Sequence, residues 1–361
     1  MAQFEGIHWA TKQMQYRLNE KQLNILDGDS KVFAVSRSIH YGLFLAFEGI
    51  RFFCQKTTRG GLEIVFFNWH KNLERFQQGI AFNLGSAQQA LVPTQEELVR
   101  LFLDYFRQPT MHTFLKEMAE KQAQGYLRPF TVDEEQSIGV TFPSQPAIRA
   151  VVCRYDQYLG EPFSGVVIPK MVRAIGLNQT GRLKLGINYL MSVKAIDQAK
   201  KVLPEAASAL FLDDNPFQNL LDRKLTEWDS SCCLIALSDS TIIKIPESNL
   251  ILPSVTIQGI VAILKQQGVT VIERDITYGE FIEKAKANQI VTIGSVGTAG
   301  ILNRCQKLVM IDYDEHILAE HLANEKHELY RPLGEIKKIY WDIYQGRAPV
   351  PPGMRLDKYE I

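Results

Sequence analysis

The chain of 361 residues is long enough for two domains of ordinary size, each burying its own core. Its 40 lysines and arginines balance 40 aspartates and glutamates, which removes any bulk-charge argument for nucleic acid or an anionic membrane as principal partner and points to a small-molecule substrate. Residues 1–10 carry neither the basic nor the apolar region of a secretory signal, and no apolar run approaches the roughly 18 residues that span a bilayer, so a soluble, cytoplasmic protein is expected.

The N-terminal stretch alternates loosely, as in LNILDGDSKVFAVSRSIH, and reads as short strands turning at Asp27-Gly28. His40-Tyr41-Gly42 leads through LFLAFEGIRFF to a turn at Gly60-Gly61 and then the apolar strand LEIVFF. Asn68 stands where it can cap the next helix, WHKNLERFQQGIAF, whose middle carries Arg75. In PTQEELVRLFLDYF, Thr94 and Glu97 have the spacing of a capping box, and Leu98, Leu101, Phe102 and Tyr105 share one helical face. Residues 108–124 continue a helical pattern and look like an insertion. GYLRPF is a strand in which Tyr126 and Arg128, two residues apart, point the same way. After the strand IRAVVCRY, the polar DQYLGEPFSG marks an interdomain loop. The expected division is an N-terminal domain over 1–157, a loop over 158–165 and a C-terminal domain over 166–361.

The second domain opens with the strand VVIPKMVRAI, and GRLKLGINYL then sets Lys184 beside a glycine turn, ahead of a helix starting near Asn188. Leu183, Leu185, Ile187 and Leu190 surround the lysine with apolar bulk, and such partial desolvation frees an amine for Schiff-base chemistry. The same pattern suits a snorkelling surface lysine, so the residue alone does not decide. SALFLDD reads as a strand, DNPFQNLLDRK as an inserted loop, and LTEWDSSCCLIAL carries Glu227 and Asp229. Cys54, Cys153, Cys232, Cys233 and Cys305 form no CxxC pair and no zinc spacing, so they read as reduced structural thiols, and no metal site is expected. A hairpin at SDST precedes ILPSVTIQGIVAILKQQGV, a helix that starts at Ser254, Val255 and Thr256 and stops at Gly268; amides at such a start can hold a phosphate. VTVIERDI, YGEFIEKAKAN and IVTIGSVG then alternate strand, helix, strand, as in an α/β domain. Gly297-Thr298-Ala299-Gly300 is a turn, PLGEIKKIYWDIYQGR an amphipathic helix, and the proline-rich tail APVPPGMRLDKYEI is expected to lie extended on the surface.

From about His40 to about Arg347 these segments resemble, in order, the branched-chain amino acid aminotransferases. The likeness rests on HYG with FEGIR, the arginine in HKNLERF, YLRP, YLG, KLGINYL, Thr226-Glu227, LPSVT and GTA. It implies a fold-type IV α/β protein, with an α+β N-terminal domain and a pseudo-barrel α/β C-terminal domain, that uses pyridoxal 5′-phosphate. By the resemblance Lys184 carries the cofactor as a Schiff base, Arg75 grips its phosphate, Tyr189 bonds its phenolate oxygen and Glu227 pairs with its pyridine nitrogen, with Asp229 as a stand-in. Amides of Val255 and Thr256 and the hydroxyl of Thr298 complete the phosphate contacts. Tyr126, Arg128 and the Thr298-Ala299 turn would hold the substrate α-carboxylate, and Tyr41, Phe47, Tyr155, Tyr158 and Tyr189 would wall the pocket.

The chain departs from the family pattern at Tyr155, where tryptophan is common, at Trp228, where glycine is usual, in lacking the Asn-Phe pair that follows, and at Ser254 and Ile257. The implied reaction moves an amino group between leucine, isoleucine or valine and 2-oxoglutarate, with amino acids and 2-oxo acids as partners and a homodimer as the assembly. A D-amino acid aminotransferase, an aminodeoxychorismate lyase and a non-catalytic homologue stay open as alternatives.

Overall fold

A computed structural model describes residues 4–155, 157–158, 161–215 and 217–361. Contacts divide it into two units, one of Phe4–Gln157 with Leu183–Ile187 and Met354–Ile361, the other of Tyr158–Arg182 with Asn188–Gly353.

The first unit is built on one antiparallel sheet whose strands run, edge to edge, Leu356–Glu360, Leu62–Phe67, Ile50–Lys56, Gln124–Asp133, Pro146–Tyr155, Lys12–Arg17 and Gln22–Asp27, with His8–Trp9 also paired to Pro146–Tyr155. Gln124–Asp133 and Pro146–Tyr155 pair along their whole length, from Gln124 opposite Tyr155 to Asp133 opposite Pro146. Helices Trp69–Phe82, Gln95–Phe106 and Pro109–Lys121 contribute Trp69, Phe76, Phe102, Phe106 and Met111 to a core shared with Phe52 and Phe66 of the sheet. Phe66 and Trp69 stack at 4.0 Å, and burying each such side chain stabilises the unit by about 2 to 3 kcal/mol. The capping box forms as spaced: Thr94 Oγ1 accepts from the Glu97 amide, and the Glu97 carboxylate accepts from the Thr94 amide.

Four local expectations are corrected. The first hairpin turns before Gln22, with Lys21 at φ +50°, and Asp27-Gly28 follows its second strand. Asn68 occupies the N-cap position without a side-chain cap, because its Oδ1 accepts from the Arg355 amide at 2.8 Å. The tail is only partly an extended surface segment, since Leu356–Glu360 pairs with Leu62–Phe67 as an edge strand. The strand expected over VVIPKMVRAI stops at Ile168. The unit boundaries also differ from the expected division: 183–187 and 354–361 join the first unit, through the Ala46–Leu185 bridge and the edge strand.

In the second unit the strand order is Leu225–Trp228, Ala206–Leu212, Phe163–Ile168, Ile301–Ile311, Ile290–Gly297, Cys232–Leu237, Thr241–Lys244 and Thr270–Glu273, with Ile317–Leu322 also on Ile301–Ile311. Phe163–Ile168 is parallel to both its neighbours, whereas Cys232–Leu237 is antiparallel to both of its own. Helix Tyr189–Val202 packs Ala195, Ile196 and Ala199 onto Val166, Ile168 and Phe211. All five cysteines are buried free thiols. Trp228 is fully buried: its ring meets Phe163 edge-on at 5.2 Å and its Nε1–H donates to the Gly294 carbonyl at 3.1 Å. A Cβ on Gly165 would come within 2.8 Å of that ring, so this glycine makes the room for the tryptophan. No helix among the described residues is long and apolar enough to cross a membrane.

Candidate active site

In the first unit, residues 45–48 run between the lysine segment and the Gln124–Asp133 strand. The Phe47 amide donates to the Lys184 carbonyl at 3.0 Å and the Gly186 amide to the Leu45 carbonyl at 2.9 Å, while the Glu48 amide donates to the Pro129 carbonyl at 2.9 Å. Main-chain bonds on both sides therefore place Phe47, and Phe47 gathers two cations. Lys184 Nζ lies 5.0 Å from its ring centroid and Arg128 Cζ 4.9 Å, distances at which a ring quadrupole attracts cations. Arg128 also donates through Nη2 to the Tyr126 hydroxyl at 2.6 Å, so the same-face placement read from YLRP is a direct contact. Gly49 is needed for it, since a Cβ there would sit 2.0 Å from the Tyr126 oxygen.

Glu48 is completely buried and faces Arg75. Arg75 donates from Nε to Oε1 at 2.5 Å and from Nη2 to Oε2 at 2.8 Å, and Oε2 also accepts from Asn72 Nδ2 and the Gly49 amide, both at 3.1 Å. The carboxylate takes one edge of the guanidinium plane and orients the other edge away from itself. Tyr155 is buried with its ring 6.1 Å from that of Tyr126, and burial pushes its phenol up to about 12 against the opposing pull of Arg51. Tyr41 is 44 % exposed and donates to the Ile138 carbonyl at 2.7 Å. The side chain of Tyr158 lies outside the described residues.

The second unit holds Tyr189, Glu227, Val255, Thr256, Thr298 and Ala299. Tyr189 opens the Tyr189–Val202 helix and is half-buried. Val255 and Thr256 are the first two residues of the Val255–Gln266 helix, and the Ser254 hydroxyl at its N-cap accepts from the Ile257 amide at 3.2 Å. Amides of a first helical turn have no acceptor within the helix, which suits this end to an anion. Thr298 and Ala299 form the turn between Ile290–Gly297 and Ile301–Ile311, and Ile301 beside it is held at φ +62°, a strain of about 1 to 3 kcal/mol for a β-branched residue.

Glu227 is buried and pairs with Arg173, whose Nη2 stands 2.6 Å from its Oε1, and the Leu252 amide donates to the same oxygen at 3.1 Å. Asp229 is engaged elsewhere: it accepts from the Ser208 hydroxyl and from the Ala209 amide at 3.0 Å, and burial pushes its carboxyl up. Glu48 and Arg173 are the site neighbours missing from the sequence reading. Glu48 was visible inside FEGIR, but neither side chain's partner follows from local spacing.

The first unit offers anion-binding guanidinium groups at Arg75 and Arg128 and a primary amine at Lys184, and the second, described by itself, offers a helix start suited to an anion and a carboxylate at Glu227. No family model matches the chain. A "Probable branched-chain-amino-acid aminotransferase" of Staphylococcus aureus (strain N315) is 23 % identical over 326 residues, covering 88 % of this chain and 80 % of that protein. The branched-chain amino acid aminotransferase of Escherichia coli superposes with a TM-score of 0.67 at 18 % identity, over 98 % of this chain and 99 % of that one. That of Thermobaculum terrenum, solved in its PLP-form, has a TM-score of 0.63 at 17 % identity, over 94 % of this chain and 95 % of that one. The chain is a sequence relative of the branched-chain-amino-acid aminotransferases, and its fold is the fold-type IV fold of their solved structures.

Proposed function

We propose that the protein is a pyridoxal 5′-phosphate-dependent transaminase that exchanges amino groups between branched-chain L-amino acids and 2-oxoglutarate. The observation that carries this reading is the Phe47 cluster, where an amine nucleophile and a carboxylate-binding arginine stand about equally close to one ring. An α-amino acid presents an amine to displace and a carboxylate to hold, one bond either side of the reacting carbon.

The donor chemistry fits the cofactor. A phosphate suits the Arg75 guanidinium, the Val255 and Thr256 amides and the Thr298 hydroxyl; a protonated pyridine nitrogen suits the Glu227 carboxylate; a phenolate oxygen suits the Tyr189 hydroxyl. When bound, pyridoxal phosphate supplies an electron sink for the pair left on the α-carbon after proton removal. Lys184 would hold the cofactor through its amine and, once that amine is free, would serve as the base that takes the proton from the substrate α-carbon and later returns it. Arg128, Tyr126 and the Thr298-Ala299 turn hold the carboxylate. Tyr41, Phe47, Tyr155, Tyr158 and Tyr189 would line the substrate pocket with an apolar wall that favours leucine, isoleucine and valine. The active form in this reading is a cytoplasmic homodimer or a multiple of it.

The test is the visible spectrum of purified protein with added pyridoxal phosphate, before and after L-leucine and then L-glutamate. A yellow band that both amino acids bleach, and 2-oxoglutarate restores, supports the proposal. Bleaching by D-alanine instead assigns the D-specific relative, and no visible band at all favours a non-catalytic homologue.

A further inference from the structure

Arg173 belongs to none of the motifs that carry the resemblance, yet it is buried beside Glu227. Its Nη2 serves three acceptors: Glu227 Oε1 at 2.6 Å, the Gly181 carbonyl at 2.6 Å and the Leu250 carbonyl at 3.0 Å. The Leu252 amide closes the arrangement on the same Glu227 oxygen, and Leu252 lies two residues before the Ser254 N-cap. The backbones around the arginine are packed tightly. A Cβ on Gly181 would stand 2.3 Å from the Asn249 carbonyl oxygen, which only a glycine avoids. Oε1 is thus fixed by a cation and an amide, while Oε2 faces the Cys232 thiol at 3.9 Å.

We infer that Arg173 is a positioning residue that holds Glu227 as a carboxylate and turns Oε2 toward the pyridine nitrogen of the cofactor. The inference rests on the proposed role of Glu227. A buried carboxylate without a cation takes up a proton, because burial disfavours its charged form. A neutral Glu227 no longer supplies the negative charge that favours a pyridinium and can donate its own O–H to the ring nitrogen, so that nitrogen would lose its proton and the ring would weaken as an electron sink. Removing a partner that orients a metal-binding side chain typically costs about 10- to 100-fold in activity, and a loss of that order is expected for a partner that orients Glu227.

The experiment uses pyridoxal phosphate labelled with 15N at the ring nitrogen, bound to the full chain and read by NMR. The unaltered protein is expected to show a pyridinium signal. Arg173→Met is expected to shift it toward neutral pyridine and to lower kcat by about 10- to 100-fold, with cofactor affinity changed less than about 5-fold. Arg173→Lys, which keeps a cation, is expected to restore the pyridinium signal and most of kcat; it also serves if the methionine variant fails to fold. A pyridinium signal retained in folded Arg173→Met, or no rescue by lysine, overturns the inference. Glu227→Gln separates the two claims: its pyridinium signal must be lost if Glu227 holds the nitrogen, and its retention overturns the Glu227 assignment and the inference with it.

Discussion

Among its described residues each unit contains an arginine–glutamate pair with both members buried, Arg75–Glu48 in the first and Arg173–Glu227 in the second, and the proposed function gives their members opposite roles. In the first unit Arg75 is the residue proposed to meet the cofactor, and Glu48 is the buried counter-charge behind it. In the second unit Glu227 is the residue proposed to meet the cofactor, and Arg173 is its buried counter-charge. The supports differ as well. Glu48 is satisfied by side chains and an amide close to it in its own unit, Arg75, Asn72 and Gly49, whereas Arg173 ties Glu227 to the main chain of two separate segments. An ion pair therefore does not say which partner binds; the surrounding donors do.

The largest effect is expected from breaking the first pair. Glu48→Ala leaves Arg75 buried without its counter-charge and should lower unfolding free energy by about 3 to 5 kcal/mol in urea denaturation. The double change Glu48→Leu with Arg75→Met should recover that stability to within about 1 kcal/mol, since apolar groups of similar volume replace a buried pair at little loss. Recovered stability together with recovered cofactor affinity would contradict the phosphate role of Arg75.

A buried ionisable group outside any ion pair supplies the contrast. His321 is buried, its Nε2 meets no hydrogen-bond partner among the described residues, and burial lowers its pKa from 6.5 to about 4. The unfolded chain then binds the extra proton between those values, so stability present above pH 6.5 falls as pH drops toward 4, by about 3 kcal/mol in all. His321→Phe should flatten that part of the stability profile, and an unchanged slope would assign it to other groups.

Arg75→Met alone should weaken pyridoxal phosphate binding about 100-fold in a spectroscopic titration, the loss expected for hydrogen bonds to a charged group. Arg173→Met should leave that affinity nearly intact, and equal losses in both would erase the distinction between the pairs. A last contrast separates the two glycines, and Gly49 carries the smallest effect. Gly181→Ala meets a carbonyl that cannot retreat and should cost about 3 kcal/mol, whereas Gly49→Ala meets the end of the Tyr126 side chain and should cost about 1 kcal/mol while raising the amino acid KM. A larger loss at Gly49 would show that Tyr126 is locked in place.

Local signals were legible wherever their cause was local. The Thr94–Glu97 box, the helix start at Ser254, the Thr298-Ala299 turn and the shared face of Tyr126 and Arg128 all depend on residues at most a few positions apart. What escaped depends on distant chain. Asn68 forgoes its own helix because Arg355 lies beside it, and the tail strand needs Leu62–Phe67 to pair with. Trp228 reads as a departure from a glycine motif until Gly165 and Phe163 supply the space and the contact. Arg173 meets Glu227 across 54 positions, beyond any spacing rule.

The central claim is that Lys184 bonds the cofactor, and borohydride trapping tests it most directly. Protein loaded with pyridoxal phosphate would be reduced, digested and mapped by mass spectrometry. The account predicts a single phosphopyridoxyl group on the peptide containing Lys184; a label on another lysine, or none at all, would contradict it.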